Sequence, residues 1–453
     1  MKPRSLSSVA AAVDGELRGD DATATSVATD SRQVVPGALF VAIVGQRLDG
    51  HTFVQEAFDR GAAGALVQKT SDPAGPVVVA GSTGDALLRL AGDERASSSA
   101  TVVAITGANG KTSAKDMTAA VVSQRFRTHA SPRSFNNEIG APMTLLGADP
   151  DTEVIVAELG ARRAGDVALL CTIARPDIAV VTNVGVAHIE VFGSWETIVA
   201  ASAEPIDALG DDGVAVLNAD DPIAAGYAER THAKVVTFGR SPTADVRADD
   251  IELDGDARAS FDLVAIGGRA RVRLAIPGEH MVSNALAAAA VGLELGVPIE
   301  PCAAALATAT VEPWRMETFE TSEGIRVLND AYNANPESMA AALRTAAVIA
   351  SEGRVIAVLG QMAELGAIGA EEHERVGELA ARLRVGRLIT VGPEAKTIAV
   401  AGVREGVEPD NVASYDDEEA ALADVRAHAR PGDVVLVKAS RVAGLERLAE
   451  ALR

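Results

Sequence analysis

The stretch Thr106-Gly107-Ala108-Asn109-Gly110-Lys111-Thr112-Ser113 (TGANGKTS) follows an apolar run, Thr101 to Ile105, and opens a helical pattern in which Ala114, Met117 and Val121 recur on one face. Strand, glycine turn, Lys-Thr and helix in that order make a phosphate cradle. Gly107 and Gly110 permit a tight turn that aims backbone N–H groups at phosphate oxygens, Lys111 adds positive charge, and the Thr112 hydroxyl suits Mg²⁺. The spacing is the shortened G-x-x-G-K-T form, because the longer G-x-x-x-x-G-K-[ST] loop needs glycine where Ile105 stands. The expected nucleotide contacts are Gly107, Ala108, Asn109, Gly110, Lys111, Thr112 and Ser113.

Outward from this loop, the chain reads as an α/β protein of three domains. Its 453 residues exceed one ordinary domain of roughly 150 residues about threefold. The first segment, residues 1–98, holds short strands at Ala38 to Val44, Ala65 to Gln68 and Pro76 to Ala80, and it ends in a serine-rich linker. The second, residues 99–310, carries the loop and buried-type strands at Glu153 to Ala157, Asp177 to Val181, Val214 to Leu217 and Lys234 to Phe238. Near-continuous apolar runs of this kind suit a parallel sheet covered on both faces. From Asp245 to Ile276 the pattern becomes polar alternation with Asp-Gly and Gly-Gly turns, as in an antiparallel flap. The third, residues 311–453, alternates strands (Arg326 to Leu328, Val355 to Leu359, Arg387 to Val391, Val434 to Val437) with helical patterns at Ser338 to Ala350, Glu371 to Leu383, Glu418 to Ala429 and Ala443 to Ala451. That is a βαβ series, hence a second, Rossmann-like sheet.

Composition excludes several classes. A net charge of -22 repels a phosphate backbone, so no nucleic-acid partner is expected, although a local cationic pocket for a nucleotide is allowed. No apolar stretch approaches the ~20 residues that span a bilayer, and the brief apolar part of the N-terminus ends at Asp14 and Glu16, so neither membrane insertion nor a signal peptide is expected. Two cysteines, Cys171 and Cys302, make no disulfide framework or metal motif. The cytoplasm is the expected compartment.

Reactive residues of open α/β sheets gather at the carboxyl ends of the strands. Glu158, in AELGAR, and His188, in TNVGVAHIE, follow two such strands. A carboxylate and an imidazole near Thr112 could complete the shell of Mg²⁺ ions that bridge nucleotide and substrate oxygens. The loop FNNEIGAP offers two amides, Asn136 and Asn137, which suit either substrate contact or Asx turns. DAYNANPESM crowds Asp330, Asn333 and Asn335 into a turn that suits ribose, substrate or a helix entry.

In order along the chain, DSRQVVPGALFVAIVGQRLDGHTF, TGANGKTS, FNNEIGAP, AELGAR, TNVGVAHIE, LNADD, DAYNANPESM, VLGQMAELG and VKASR resemble the Mur ligases of peptidoglycan synthesis, over nearly the whole length. The resemblance implies three domains: a small one for a UDP-sugar, a central one for ATP and a C-terminal ligase domain. The NANP form implies the activity that joins D-alanyl-D-alanine to a UDP-N-acetylmuramoyl-tripeptide. That is ATP-dependent C–N bond formation through an acyl phosphate, releasing ADP and phosphate. By the same resemblance, Lys111 neutralises phosphate charge, Thr112 and Glu158 hold one Mg²⁺, and His188 helps hold a second. It also implies that Arg315 and Asp330 meet the nucleotide from the C-terminal domain, that Asn284 lies near adenine, and that Asp30, Ser31, Arg32 and His51 form the UDP-sugar pocket. A monomer suffices for this chemistry.

The chain departs from the family at one telling position. Where most of these ligases carry a carbamylated lysine in A-K-x-E, this sequence reads Ala201-Ser202-Ala203-Glu204. Serine forms no such carbamate, and Pro205 is expected to disturb a helix there. Three explanations stand: the second metal is held by Glu158, His188 and water; a local rearrangement brings in another carboxylate; or activity is weakened. Gln361 where aspartate is common, and Trp314 where glycine is common, are lesser departures. The alternatives to the favoured activity are a Mur-like amide ligase with a different substrate and a catalytically weakened nucleotide-binding paralogue.

Overall fold

Val102, Val103, Ala104 and Ile105 are fully buried, and their strand, Thr101–Thr106, lies inside a nine-stranded sheet. The computed structural model describes residues 1–45, 47–69 and 75–453; Gln46, within DSRQVVPGALFVAIVGQRLDGHTF, lies outside the described residues. The strands of this sheet run in the order Gly268–Pro277, Arg258–Ala265, Val246–Leu253, Lys234–Gly239, Val214–Asn218, Ile178–Val181, Thr101–Thr106, Val154–Glu158 and Thr128–Ala130. From Thr128–Ala130 through Val246–Leu253 every pairing is parallel. The flap read as antiparallel is continuous with this sheet: Val246–Leu253 joins it in parallel, and the next two strands fold back antiparallel.

After Thr101–Thr106 the chain first builds the two strands on one side, then crosses to Ile178–Val181 on the other. Such a reversal opens a crevice at the carboxyl ends of the strands, where open α/β sheets bind ligands. The phosphate loop stands there. Helix Lys111–Val122 buries Ala114, Met117, Val121 and Val122 and packs against the alanine-rich helix Met281–Glu294. Small side chains let these two helices approach closely; a Cβ on Gly292 would come within 2.3 Å of Val121 Cγ1.

Two larger sheets flank this centre, beside a two-stranded pairing of Arg4–Ser5 with Thr23–Ala24. The first is five-stranded, ordered Glu16–Arg18, Val77–Val79, Gly64–Val67, Ala38–Val41 and Ser26–Ala28, parallel except at Glu16–Arg18. The other is six-stranded, ordered Glu317–Glu320, Arg326–Asn329, Val434–Lys438, Val355–Gly360, Arg387–Val391 and Val412–Tyr415, with only Glu317–Glu320 antiparallel. The mixed α/β architecture, with three large sheets, agrees with the sequence reading.

Local differences have local causes. Helix Trp195–Asp207 runs through Pro205, so the expected disturbance is absent; proline removes only its own donor, and the Ala208 N–H still reaches the Glu204 carbonyl. The helix expected over Ala443 to Ala451 is split. A 3₁₀ turn at Arg441–Ala443 ends at Gly444, whose φ is +69°, and the helix resumes at Glu446–Glu450. Among the described residues no helix is long and apolar enough to cross a membrane.

Cys171 and Cys302 are both buried, and burial pushes both thiols up to about 12. The thiolate is the reactive species, so the native protein should give no fast thiol reaction with a disulfide reagent at mildly alkaline pH, and both should react after unfolding. Rapid labelling of either in the native state contradicts this packing.

Candidate active site

In the sheet, Glu158 is paired opposite Ile105 on one side of the loop's strand, and Val181 is paired opposite Thr106 on the other. The carboxylate of one neighbour and the Thr182-Asn183 turn of the other therefore flank TGANGKTS. Gly107 has φ +136° and Gly110 φ +80°. A Cβ on Gly107 would lie 2.1 Å from Thr182 Oγ1, and one on Gly110 would lie 2.2 Å from Asn284 Oδ1. Both glycines are required on two counts, conformation and space. Asn183 grips the loop: its carbonyl accepts from Ala108 N (2.9 Å), its Oδ1 accepts from Asn109 N (2.8 Å) and its Nδ2 donates to the Asn109 carbonyl (3.1 Å).

Helix Lys111–Val122 starts from Gly110 without a side-chain cap, so its first amides and the positive end of its dipole face the crevice. Lys111 Nζ bends over the loop to the Gly107 carbonyl at 2.6 Å. Desolvation pulls its ammonium below the ordinary lysine value; Glu158 opposes that shift and Arg315 adds to it. Thr112 Oγ1 donates to Glu158 Oε2 at 2.8 Å, and Asn136 Nδ2 donates to Glu158 Oε1 at 2.7 Å. Glu158 is 1% exposed, and both its oxygens rest on neutral donors. Ser113, the last loop residue, is buried in the first helical turn. Asn137 does something different from Asn136: its Oδ1 accepts from Gly140 N at 2.9 Å, an Asx turn that opens helix Gly140–Gly147.

Four contributors escaped the sequence reading. Ser134 Oγ lies 3.1 Å from Thr112 Oγ1 and accepts from Arg315 Nη2 at 3.0 Å, joining the loop helix to the C-terminal segment. Lys115, 1% exposed, donates to the carbonyls of Ser131 and Arg133 and so pins the segment carrying Ser134 and Asn136. Asn183 and Lys438 complete the set. The available signal was the lysine pair at a spacing of four, Lys111 and Lys115, which places the second lysine on the inner helix face.

The C-terminal sheet closes the crevice from above. Asn335 caps helix Pro336–Ala350 and its Nδ2 donates to Asn109 Oδ1 at 2.7 Å. Asp330 accepts from buried Lys438 Nζ at 2.5 Å and from Met316 N at 3.0 Å. The Asn333 carbonyl accepts from the same lysine at 2.9 Å, and the residue itself is exposed. Arg315 stacks 4.1 Å over the Tyr332 ring, and its buried Nε has no acceptor. Buried Asn284 stands beneath Gly110. His188 faces the same sheet: its Nδ1 bonds Glu364 Oε2. Burial pulls the His188 imidazole below the ordinary value, and Glu364 opposes that shift.

Ser202 lies beside the Tyr227 phenol, and Glu204 is spent elsewhere. Its two oxygens accept from Gly165 N (2.6 Å) and Ala168 N (2.8 Å), capping helix Asp166–Ala174. In the first sheet, exposed Arg32 is held bidentate by Asp30. Ser31 Oγ donates to Glu56 at 3.0 Å. Both His51 nitrogens are engaged, Nδ1 with Asp49 at 2.6 Å and Nε2 accepting from Gln68 N at 2.9 Å.

Fold and site together define a phosphate-loop nucleotide-binding protein whose crevice is shared by a central and a C-terminal α/β sheet. Three family descriptions match in order along the chain: the Mur ligase family catalytic domain over residues 23–85, the Mur ligase middle domain over 105–292, and the Mur ligase glutamate ligase domain over 314–441. The chain belongs to the Mur ligase family. It is 43% identical to the UDP-N-acetylmuramoyl-tripeptide–D-alanyl-D-alanine ligase of Mycobacterium tuberculosis, across 94% of this chain and 92% of that protein. Among solved structures it is similar to MurF from Acinetobacter baumannii, with a TM-score of 0.87, 30% identity and coverage of 99% and 98% of the two chains. It is also similar to the MurF ligase of Thermotoga maritima in complex with ADP, with a TM-score of 0.81, 30% identity and coverage of 94% and 96%.

The loop geometry makes a stability prediction. Gly107→Ala should destabilise the protein by about 2 kcal/mol or more, since positive φ and steric overlap act together; Gly165→Ala, where φ is +90° but a Cβ meets nothing within 4 Å, should cost less. Chemical denaturation measures both, and equal effects contradict the claim that Thr182 and Asn183 crowd the loop.

Proposed function

We propose that this protein is an ATP-dependent amide ligase that joins D-alanyl-D-alanine to UDP-N-acetylmuramoyl-tripeptide, a step in making the peptidoglycan precursor. The observation that carries the reading is the phosphate loop set against Glu158, a buried carboxylate hydrogen-bonded only by the neutral donors Thr112 and Asn136. The substrates are inferred from the full-length likeness to the M. tuberculosis ligase. The orphaned Nε of Arg315 suits an anionic nucleotide beside the loop.

The donor set fits Mg²⁺. Among the described residues no three His, Cys, Asp or Glu side chains converge into a closed metal cage, and Mg²⁺ takes one or two carboxylates together with substrate phosphates and water rather than an all-protein cage. Thr112, Glu158 and His188 would hold it, and when bound it neutralises charge on the phosphate oxygens.

The chain's own residues do the rest by placement. Phosphoryl transfer asks for positioning and charge compensation more than covalent help. The amides of Gly110 to Ser113 and the Lys111 ammonium hold the β- and γ-phosphates, Arg315 and Asp330 orient the nucleotide from the opposite wall, and Asn284 does so from beside Gly110. A tripeptide carboxylate oxygen attacks the γ-phosphorus and ADP departs, leaving an acyl phosphate. The D-Ala-D-Ala amine then attacks the carbonyl, and the tetrahedral intermediate collapses to an amide and inorganic phosphate. The C-terminal sheet, docked through Asn335 and Arg315, keeps water from the acyl phosphate. Asn136, Asn333 and the Asp30-Ser31-Arg32 turn line the substrate side in this reading; His51 and Asn137 support it as scaffold. One chain supplies the whole set, so we infer a monomer. ATP and a UDP-sugar are cytoplasmic compounds, so we infer that compartment.

Ser202 favours a second reading, a weakened enzyme of the same class. One assay decides among these: phosphate release with Mg²⁺-ATP, UDP-N-acetylmuramoyl-tripeptide and D-Ala-D-Ala, each omitted in turn. Turnover that requires all three supports the ligase. Release with another amine but not this dipeptide, or none at all, overturns it. Lys111→Ala should lower turnover by roughly 10²- to 10³-fold, the usual loss for one charge-stabilising group, with the fold intact. Ser202→Lys should leave activity unchanged or raise it and introduce bicarbonate dependence, since nothing at Ser202 ties it to the loop; a large loss contradicts that.

A further inference from the structure

One contact between the central and C-terminal sheets is built with more care than a surface tie requires. His188 precedes the short helix Ile189–Phe192, and Glu364 lies in the loop after strand Val355–Gly360. Both hold left-handed backbones, φ +60° at His188 and +62° at Glu364. Non-glycine residues adopt that conformation only under strain. The two turns are also clasped through the main chain, where Glu190 N donates to the Glu364 carbonyl at 3.2 Å. Gly366, at φ +53°, lets the turns approach so closely that a Cβ there would lie 3.1 Å from Glu190 Cβ. Both side chains are about one-third exposed, and an ion pair at that exposure adds little stability. Strain at two residues for so small a return points to a role other than holding the sheets together.

We propose that Glu364 is a positioning residue for the metal site: its carboxylate, delivered by the C-terminal sheet, accepts the Nδ1 proton of His188 and fixes the ring with Nε2 as the ligating nitrogen. A metal-bound histidine commonly gives its other N–H to a carboxylate, which sets tautomer and orientation and raises basicity. Glu364 itself is not a metal ligand in this assignment. Oε2 rests on His188, and Oε1 faces Arg162 at 3.9 Å. Glu204 is committed to its helix cap, so the carboxylate that orients His188 comes from the other sheet. The metal site is then complete only when the two sheets are docked.

The inference rests on the reading of His188 as a metal ligand, and the experiment separates the two. Mn²⁺ binding to the full-length chain is followed by electron paramagnetic resonance with β,γ-methylene-ATP present, for the wild type, His188→Gln, Glu364→Gln and Glu364→Asp. His188→Gln and Glu364→Gln should each weaken Mn²⁺ binding about 10- to 100-fold. Metal-free nucleotide affinity and the unfolding temperature should stay at wild-type values, and Glu364→Asp should recover part of the loss. If His188→Gln weakens Mn²⁺ and Glu364→Gln does not, Glu364 is only a tie and the inference falls. If His188→Gln leaves Mn²⁺ unchanged, the ligand reading falls and takes the inference with it. A loss in Glu364→Gln matched by an equal loss of metal-free nucleotide affinity also overturns it, because that pattern marks general disordering.

Discussion

Close approach without room for a β-carbon governs this site. At Gly107 and Gly110 the backbone passes so near to Thr182, Asn183 and Asn284 that any side chain would overlap them, and the amides that would otherwise be shielded face the crevice. Everything else is arranged around that exposed turn. The neighbouring strands present Glu158 on one side and Asn183 on the other because their register with Thr101–Thr106 places their ends level with it. The helix beginning at Gly110 adds its dipole. The C-terminal sheet reaches the same turn through Asn335 on Asn109.

Charge is organised on the same plan. A chain of net charge -22 would repel a polyphosphate at long range, yet Lys111 and Arg315 stand within the crevice and Lys438 beneath it, with carboxylates set against the cations in limited number. Asp330 is neutralised by Lys438 at 2.5 Å, whereas Glu158 meets only Thr112 and Asn136. A buried carboxylate whose hydrogen bonds come only from neutral donors is costly, and Lys111 close by offsets part of that cost. The acidic surface serves solubility; the pocket serves the nucleotide.

Much of this was legible in the residues. The loop, the buried strands beside it and the βαβ series follow from punctuation and apolar runs, which report burial on both faces. Edge strands such as Glu16–Arg18 and Glu317–Glu320 were not legible, because exposed alternate positions give them no apolar signature. Long-range partners stay hidden for a different reason. Nothing near Ser134 predicts Arg315, and nothing near His188 predicts Glu364; these pairs exist only once separate sheets meet. Asn136 and Asn137 are adjacent and chemically identical, so only the strand end holding Glu158 separates the site residue from the Asx turn. Pro205 shows the reverse error, a strong local rule overridden by helix packing.

The central claim is that ATP is spent on activating a carboxylate, not on moving the protein or on hydrolysis. It is tested most directly by supplying UDP-N-acetylmuramoyl-tripeptide with ¹⁸O in its terminal carboxylate, together with ATP and D-Ala-D-Ala, and weighing the phosphate released. Attack of the carboxylate on the γ-phosphorus, then displacement of phosphate by the amine, transfers a single carboxylate oxygen to phosphate in each turnover. The account predicts phosphate enriched by one ¹⁸O in step with amide formed; phosphate free of ¹⁸O while amide accumulates would contradict it.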